Sequence, residues 1–312
     1  MKNPSSYLPG TTTRPPGLLQ SLSASTLAVL GLFVGSAPVL AAPILGGDLA
    51  SFAVLGAAGV TNVPVSTIGG NLGSAPNPSV GGGYIFTSGS LQQNTALAQN
   101  AQLQLDVAIN AVNAGLGTLI PEGDLDTYQE DNNGSIGPGI YDVPARPINL
   151  AKTLILNGGG DPNAVWRFRF SSTLITSTIS NVIVEDVGSG AGVGIYWSVG
   201  SAATLNGFTF AGNVLANELI SSDGDLTIGC GRLLSANKQV TLIQDKISIG
   251  CVGIGARSCG FDQGAGIGSG GIGGSSNQIV NGVPEPGTLA LLGLGLAGLA
   301  FSRRRQGYPR VE

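Results

Sequence analysis

The sequence contains no histidine, one methionine, two tryptophans and three cysteines among 312 residues. Without an imidazole, Ser-His-Asp and Cys-His nucleophile systems and histidine metal sites are excluded. Only 10% of residues are charged. Discounting cations and anions near the two ends leaves 8 Lys and Arg against 16 Asp and Glu, a net charge near −8 for the bulk of the chain. Such a surface repels phosphate, so nucleic acid is not an expected partner. Paired carboxylates remain available for glycoside chemistry, but no pair stands out. The densest acidic stretch, Glu122, Asp124, Asp126, Glu130 and Asp131, starts like a calcium loop, yet Tyr128 occupies a ligand position. It is read as a solvated loop, with neither a catalytic residue nor a metal assigned.

What the chain has in quantity is glycine, 51 residues, with Val, Ile and Leu in short runs. That is the composition of many short strands joined by tight turns. Ala216-Asn217 is echoed by Ala236-Asn237, a spacing of 20 that suits one coil of a β-solenoid, whose coils bury apolar side chains only by stacking. Strands are expected at 152–156, 165–170, 178–184 and 193–199. In Trp166-Arg167-Phe168-Arg169-Phe170 the alternation puts three aromatics on one face, read as core, and two cations on the other. One segment differs. Leu97, Ala101, Leu105, Ala108, Val112 and Leu116 recur at helical spacing, predicting an amphipathic helix over about 90–116, capped by Ser88 or Ser90 and ended by Gly115 or Gly117.

Both ends read as targeting segments. Lys2 and Arg14 precede an apolar stretch and Val39-Leu40-Ala41, which predicts a signal peptide over 1–41. After a glycine-rich linker at 253–282, Pro284-Glu285-Pro286 is followed by an apolar run at 288–301 and Arg303-Arg304-Arg305. As a helix this run reaches about 21 Å against a hydrocarbon core of about 30 Å, short for a permanent span. It fits transient membrane association with the arginines held on the cytoplasmic side. The order of parts resembles the PEP-CTERM sorting signals of Gram-negative bacteria, which implies exosortase-type machinery as a partner. The resemblance also implies export through the inner membrane to the cell surface or extracellular matrix.

The body, 42–252, carries a second resemblance. Phe52-Ala53-Val54-Leu55, Val60-Thr61-Asn62, Thr67-Ile68-Gly69-Gly70-Asn71-Leu72-Gly73, Gly137-Pro138-Gly139-Ile140-Tyr141, Asp161-Pro162-Asn163-Ala164-Val165-Trp166 and Ile195-Tyr196-Trp197-Ser198 resemble, in order, the ice-binding-protein-like family. The resemblance implies a mainly β fold, a discontinuous right-handed β-solenoid with one long α-helix packed alongside; targeting helices would lie at both termini. It implies adsorption to ice through a flat face and needs no cofactor. Placed at the 20-residue spacing, Ser201, Ser221 and Thr241 form the expected ice-facing column, with Thr204, Thr209, Thr227 and Ser248 as further candidates. Glu218, Asp223, Asp225 and Asp245 are read along an edge, where charge would discourage ice. The alternative is a biofilm-matrix or adhesion protein that binds exopolysaccharide or another extended surface on the same scaffold.

Cys230 and Cys251 are 21 residues apart, nearly one coil, and are candidates for a disulfide between adjacent coils; Cys251 with Cys259 is the rival pairing.

Overall fold

The computed structural model describes residues 44–188 and 192–250; the expected signal peptide, linker and C-terminal sorting segment lie outside that range. The described chain is mainly β, with parallel pairing throughout, a 3-10 turn at Pro121–Gly123 and three α-helices, α1 (Gly47–Ala50), α2 (Ala96–Asn113) and α3 (Leu125–Asp131).

The strands form three ladders that the chain visits in turn. The first contains, in stacking order, Thr118–Leu119, Gly139–Val143, Val165–Phe170, Gly194–Val199, 212–216, 231–235, Phe52–Gly56, Asn71–Ser74 and Leu91–Gln93. The second runs Leu174–Ile175, Ala203–Leu205, Ile220–Ser222, Gln239–Ile243 and Gly59–Val63. The third runs Thr153–Asn157, Asn181–Glu185, 209–210, 227–228, Lys246–Ser248, Ser66–Gly69 and Tyr84–Ser88. Stacking order therefore departs from chain order. The first coils occupy one end, α2 carries the chain to the other, and the later coils return until the last docks on the first, where Val240 pairs with Val60 and Ile247 with Ile68.

Inward-facing side chains of all three ladders make one core. Tyr141, Phe168 and Trp197 are register partners on adjacent strands of the first ladder and stack at 5.3 and 4.4 Å between ring centroids. Phe210 continues the series at 4.9 Å. Trp166 and Phe168 are fully buried, as the alternation predicts.

Helix α2 lies against the outer face of the first ladder. Ala98, Ala101, Leu105, Ala108, Ile109 and Val112 pack on Phe52, Leu55, Tyr196, Leu215 and Leu234, forming a second core closed by Leu45 and Leu49 at α1. Its 18 residues span about 27 Å at 1.5 Å each, or about six strand spacings, which is why a helix lying along the stack can cover so much of one ladder. The two cations of the aromatic strand meet the end of this helix. Arg169 donates from Nη1 to the carbonyls of Asn113 and Gly115 and forks onto Asp142; Arg167 donates to Ala111 O. Positive charge here satisfies the last carbonyls and opposes the helix dipole.

The helix is shorter than expected. Leu91–Gln93 pairs as a strand with 72–74, so the helix begins only after Thr95, whose hydroxyl accepts from Ala98 N, and ends at Ala114 rather than at a glycine. Leu116 lies outside it and is 98% exposed. The acidic stretch is also corrected: it forms α3, N-capped by Asp124, with Asp126 buried rather than solvated.

Candidate functional site

On the second ladder, alternation sends Ala203, Ile220, Val240 and Val60 inward, where all are fully buried. The residue after each then points outward. Thr204, Ser221, Thr241 and Thr61 are successive register partners, so four hydroxyls form one column, with Ile175 beyond Thr204. Parallel strands repeat this column at about 4.8 Å. Thr61 Oγ1 donates to Thr241 Oγ1 at 3.1 Å, tying the first coil to the last. No strand of this ladder contains an aromatic residue. Its neighbouring outward positions include Ala202, Leu219 and Gln239 on one side and Asn206, Asp223, Ile243 and Val63 on the other.

The column differs from the one expected from a uniform 20-residue period. Ser221 and Thr241 are partners at that spacing, but the preceding coil is shorter and Ser221 pairs with Thr204, 17 residues earlier, not with Ser201. Ser201 sits at the corner before the strand, where its hydroxyl donates to Glu218. Thr209 and Thr227 are partners on the third ladder, where Lys246 follows them, and Ser248 pairs with Gly69 there. Thr61 was missed because it is 180 residues from its neighbour; the signal was the Val-Thr pair shared by Val60-Thr61 and Val240-Thr241.

Asp245 is not on an exposed edge. It is fully buried at the corner between the second and third ladders, accepting from Ser222 Oγ, Leu226 N and Ile243 N, while its own N–H donates to Ser66 of the first coil. Burial pushes its carboxyl up to about 6, against those three donors.

Among the described residues, no three potential metal-ligating side chains gather. A cleft of about 830 Å³ beside α3 is lined by Glu122, Asp124, Asp126, Thr127, Arg146 and Lys152. Its charges are used structurally: Arg146 pairs with Asp124 at 2.7 Å and Lys152 with Glu130 at 2.6 Å. Cys230 is disulfide-bonded. The two other cysteines, Cys251 and Cys259, both lie outside the described residues; with three cysteines in the chain, a bonded Cys230 excludes the rival pairing of Cys251 with Cys259, and its partner is one of those two. Pro284, Glu285, Pro286 and Arg303 to Arg305 lie outside them as well.

Comparison with known proteins places this geometry. A model of the Ice-binding-like family matches residues 54–248 and one of the PEP-CTERM protein-sorting motif matches 282–305. An ice-binding protein of Nostoc sp. (strain HG1) is 32% identical over 269 residues, covering 83% of this chain and 86% of the relative. The crystal structure of an ice-binding protein from the Antarctic ascomycete Antarctomyces psychrotrophicus superposes with a TM-score of 0.55 at 28% identity, covering 66% of this chain and 98% of that one. An ice-binding protein from an Antarctic biological consortium gives a TM-score of 0.57 at 28% identity, covering 68% and 93%.

Proposed function

The chain belongs to the ice-binding-like family, and from that premise we propose that it adsorbs to ice through the outer face of the second ladder, centred on Thr204, Ser221, Thr241 and Thr61. The observation that carries the reading is the register: four small hydroxyl side chains at a fixed repeat on a backbone locked by ladder hydrogen bonds. Such an array holds its shape before contact, so little conformational entropy is lost on docking to a crystal plane. The right-handed winding implied by the family resemblance would set the three ladders around one core. The PEP-CTERM motif supports an exported protein that acts outside the cell or at its surface, as an inhibitor of recrystallisation or an attachment to ice, with exosortase-type processing at the C-terminal signal. The relatives are ice-binding proteins, and no catalytic role is assigned here. Exopolysaccharide binding on the same face is the lesser reading, because that ladder offers neither an aromatic platform nor a paired-acid groove.

The test is an ice-recrystallisation assay on the exported chain beside Ser221→Tyr and Thr241→Tyr. Wild-type inhibition that both variants lose supports this face. Inhibition kept by both moves the face elsewhere, and a folded wild-type protein with no inhibition overturns ice binding.

A further inference from the structure

At the end of the stack formed by the first coils, the outermost strands Tyr84–Ser88 and Leu91–Gln93 are each paired on one side only among the described residues. Residues 85–91 are all exposed, so the other row of amides and carbonyls faces outward. Ile85 is 56%, Leu91 42% and Phe86 37% exposed at this edge, with Val63 and Val65 beside it. An open parallel edge with apolar side chains is a template for further strand pairing, and proteins ordinarily blunt such edges with charge, proline or a covering element. Among the described residues none of these blunts this edge. No charged residue occurs between Asp48 and Asp106, and no proline falls within either edge strand.

We propose that this open end is a homotypic contact, at which a second copy of the chain pairs edge to edge. Charge selects the occupant. The bulk of the chain is net negative, so two copies repel over most of their surface, and this uncharged end lets them approach without like charges meeting. An acidic or basic partner would find nothing here to recognise. Geometry limits the assembly. When Tyr84–Ser88 lies antiparallel to its own copy about a two-fold axis, the contact is isologous and both open ends are consumed; at the opposite end of each stack α3 caps the third ladder. The product is a closed dimer rather than a filament. This contact does not depend on ice adsorption.

Sedimentation of the exported chain over a range of concentrations tests it. The expected result is a monomer–dimer equilibrium that Ile85→Lys and Leu91→Lys each shift to monomer, while Leu103→Lys, on the exposed face of α2, leaves it intact. Hydrogen exchange should show amides at 84–93 gaining protection as concentration rises. The proposal fails if the chain is monomeric at every concentration. It fails equally if the dimer survives both edge substitutions, which would place association on another surface such as the C-terminal apolar run. Protection of 84–93 that is independent of concentration would mean that the chain's own linker covers the edge, and would also overturn it.

Discussion

At one end of the stack, α3 supplies with side chains what a further strand would supply with backbone; at the other, Tyr84–Ser88 and Leu91–Gln93 leave the same groups facing outward. Asp126 accepts from the N–H groups of Ala151 and Lys152 at 2.6 and 3.0 Å. Gln129 accepts from Ile155 N and donates to Thr153 O, reproducing a ladder rung on the last strand of the third ladder. Asn149 does the same service for Ile175 N on the second. A seven-residue helix, with the backbone of Ile136 bridging to Leu156, is thus enough to finish the edge of the third ladder, provided its polar side chains fall at the spacing of the exposed backbone groups. The contrast belongs to the third ladder, capped at one end and bare at the other; the first ladder ends in a strand paired on one side only at both ends, Thr118–Leu119 and Leu91–Gln93.

Removing the cap should be the costliest way to erase that contrast. Asp126→Ala leaves two backbone donors without a charged acceptor and is expected to lower stability by about 4 kcal/mol, read from urea unfolding at neutral pH. A smaller effect comes from Asp245, where the last coil meets the coils of the open end. Its carboxyl rises from 3.8 to about 6 on folding, so its protonated form favours the folded state. That contribution is complete below about pH 4 and is lost as pH rises through about 6, amounting to about 3 kcal/mol. Wild-type stability should therefore fall by about that amount relative to Asp245→Asn from pH 4 to pH 7 in paired denaturant titrations. Least affected should be the monomer carrying Ile85→Lys, whose side chain is already in solvent: its dilute-solution unfolding midpoint is expected to correspond to a change within about 0.5 kcal/mol. A large loss there would mean that the edge is packed rather than open.

The parts of this fold that were legible in the sequence are those written in local periodicity. Two-residue alternation at 165–170 and the three- and four-residue recurrence of Leu97, Ala101, Leu105, Ala108 and Val112 placed a strand and a helix on the correct faces. Helix ends were misplaced because Leu91 fits either period, and only pairing with Leu72 decides for strand. The acidic stretch looked like a loop because the partners of Asp126 and Gln129 are backbone groups about 25 residues away, which leave no trace in composition. The hydroxyl column was partly legible: Ser221 and Thr241 follow the 20-residue step, but a 17-residue coil before them replaced Ser201 with Thr204. Thr61 could be placed only once the docking of the last coil on the first was known.

That docking also bears on how the chain comes to be folded. Phe52–Gly56 pairs with Asn71–Ser74 on one side but needs 233–235 on the other, and Gly59–Val63 needs Gln239–Ile243. Synthesis delivers the first coils nearly 180 residues before their neighbours, so they spend that interval half-paired, and closing contacts of such separation is slow. A chain led through a secretion pore by its N-terminus would thus emerge without a finished edge to build on. Order of synthesis and order of stacking run against each other, and the mismatch delays compaction until the last turn has arrived.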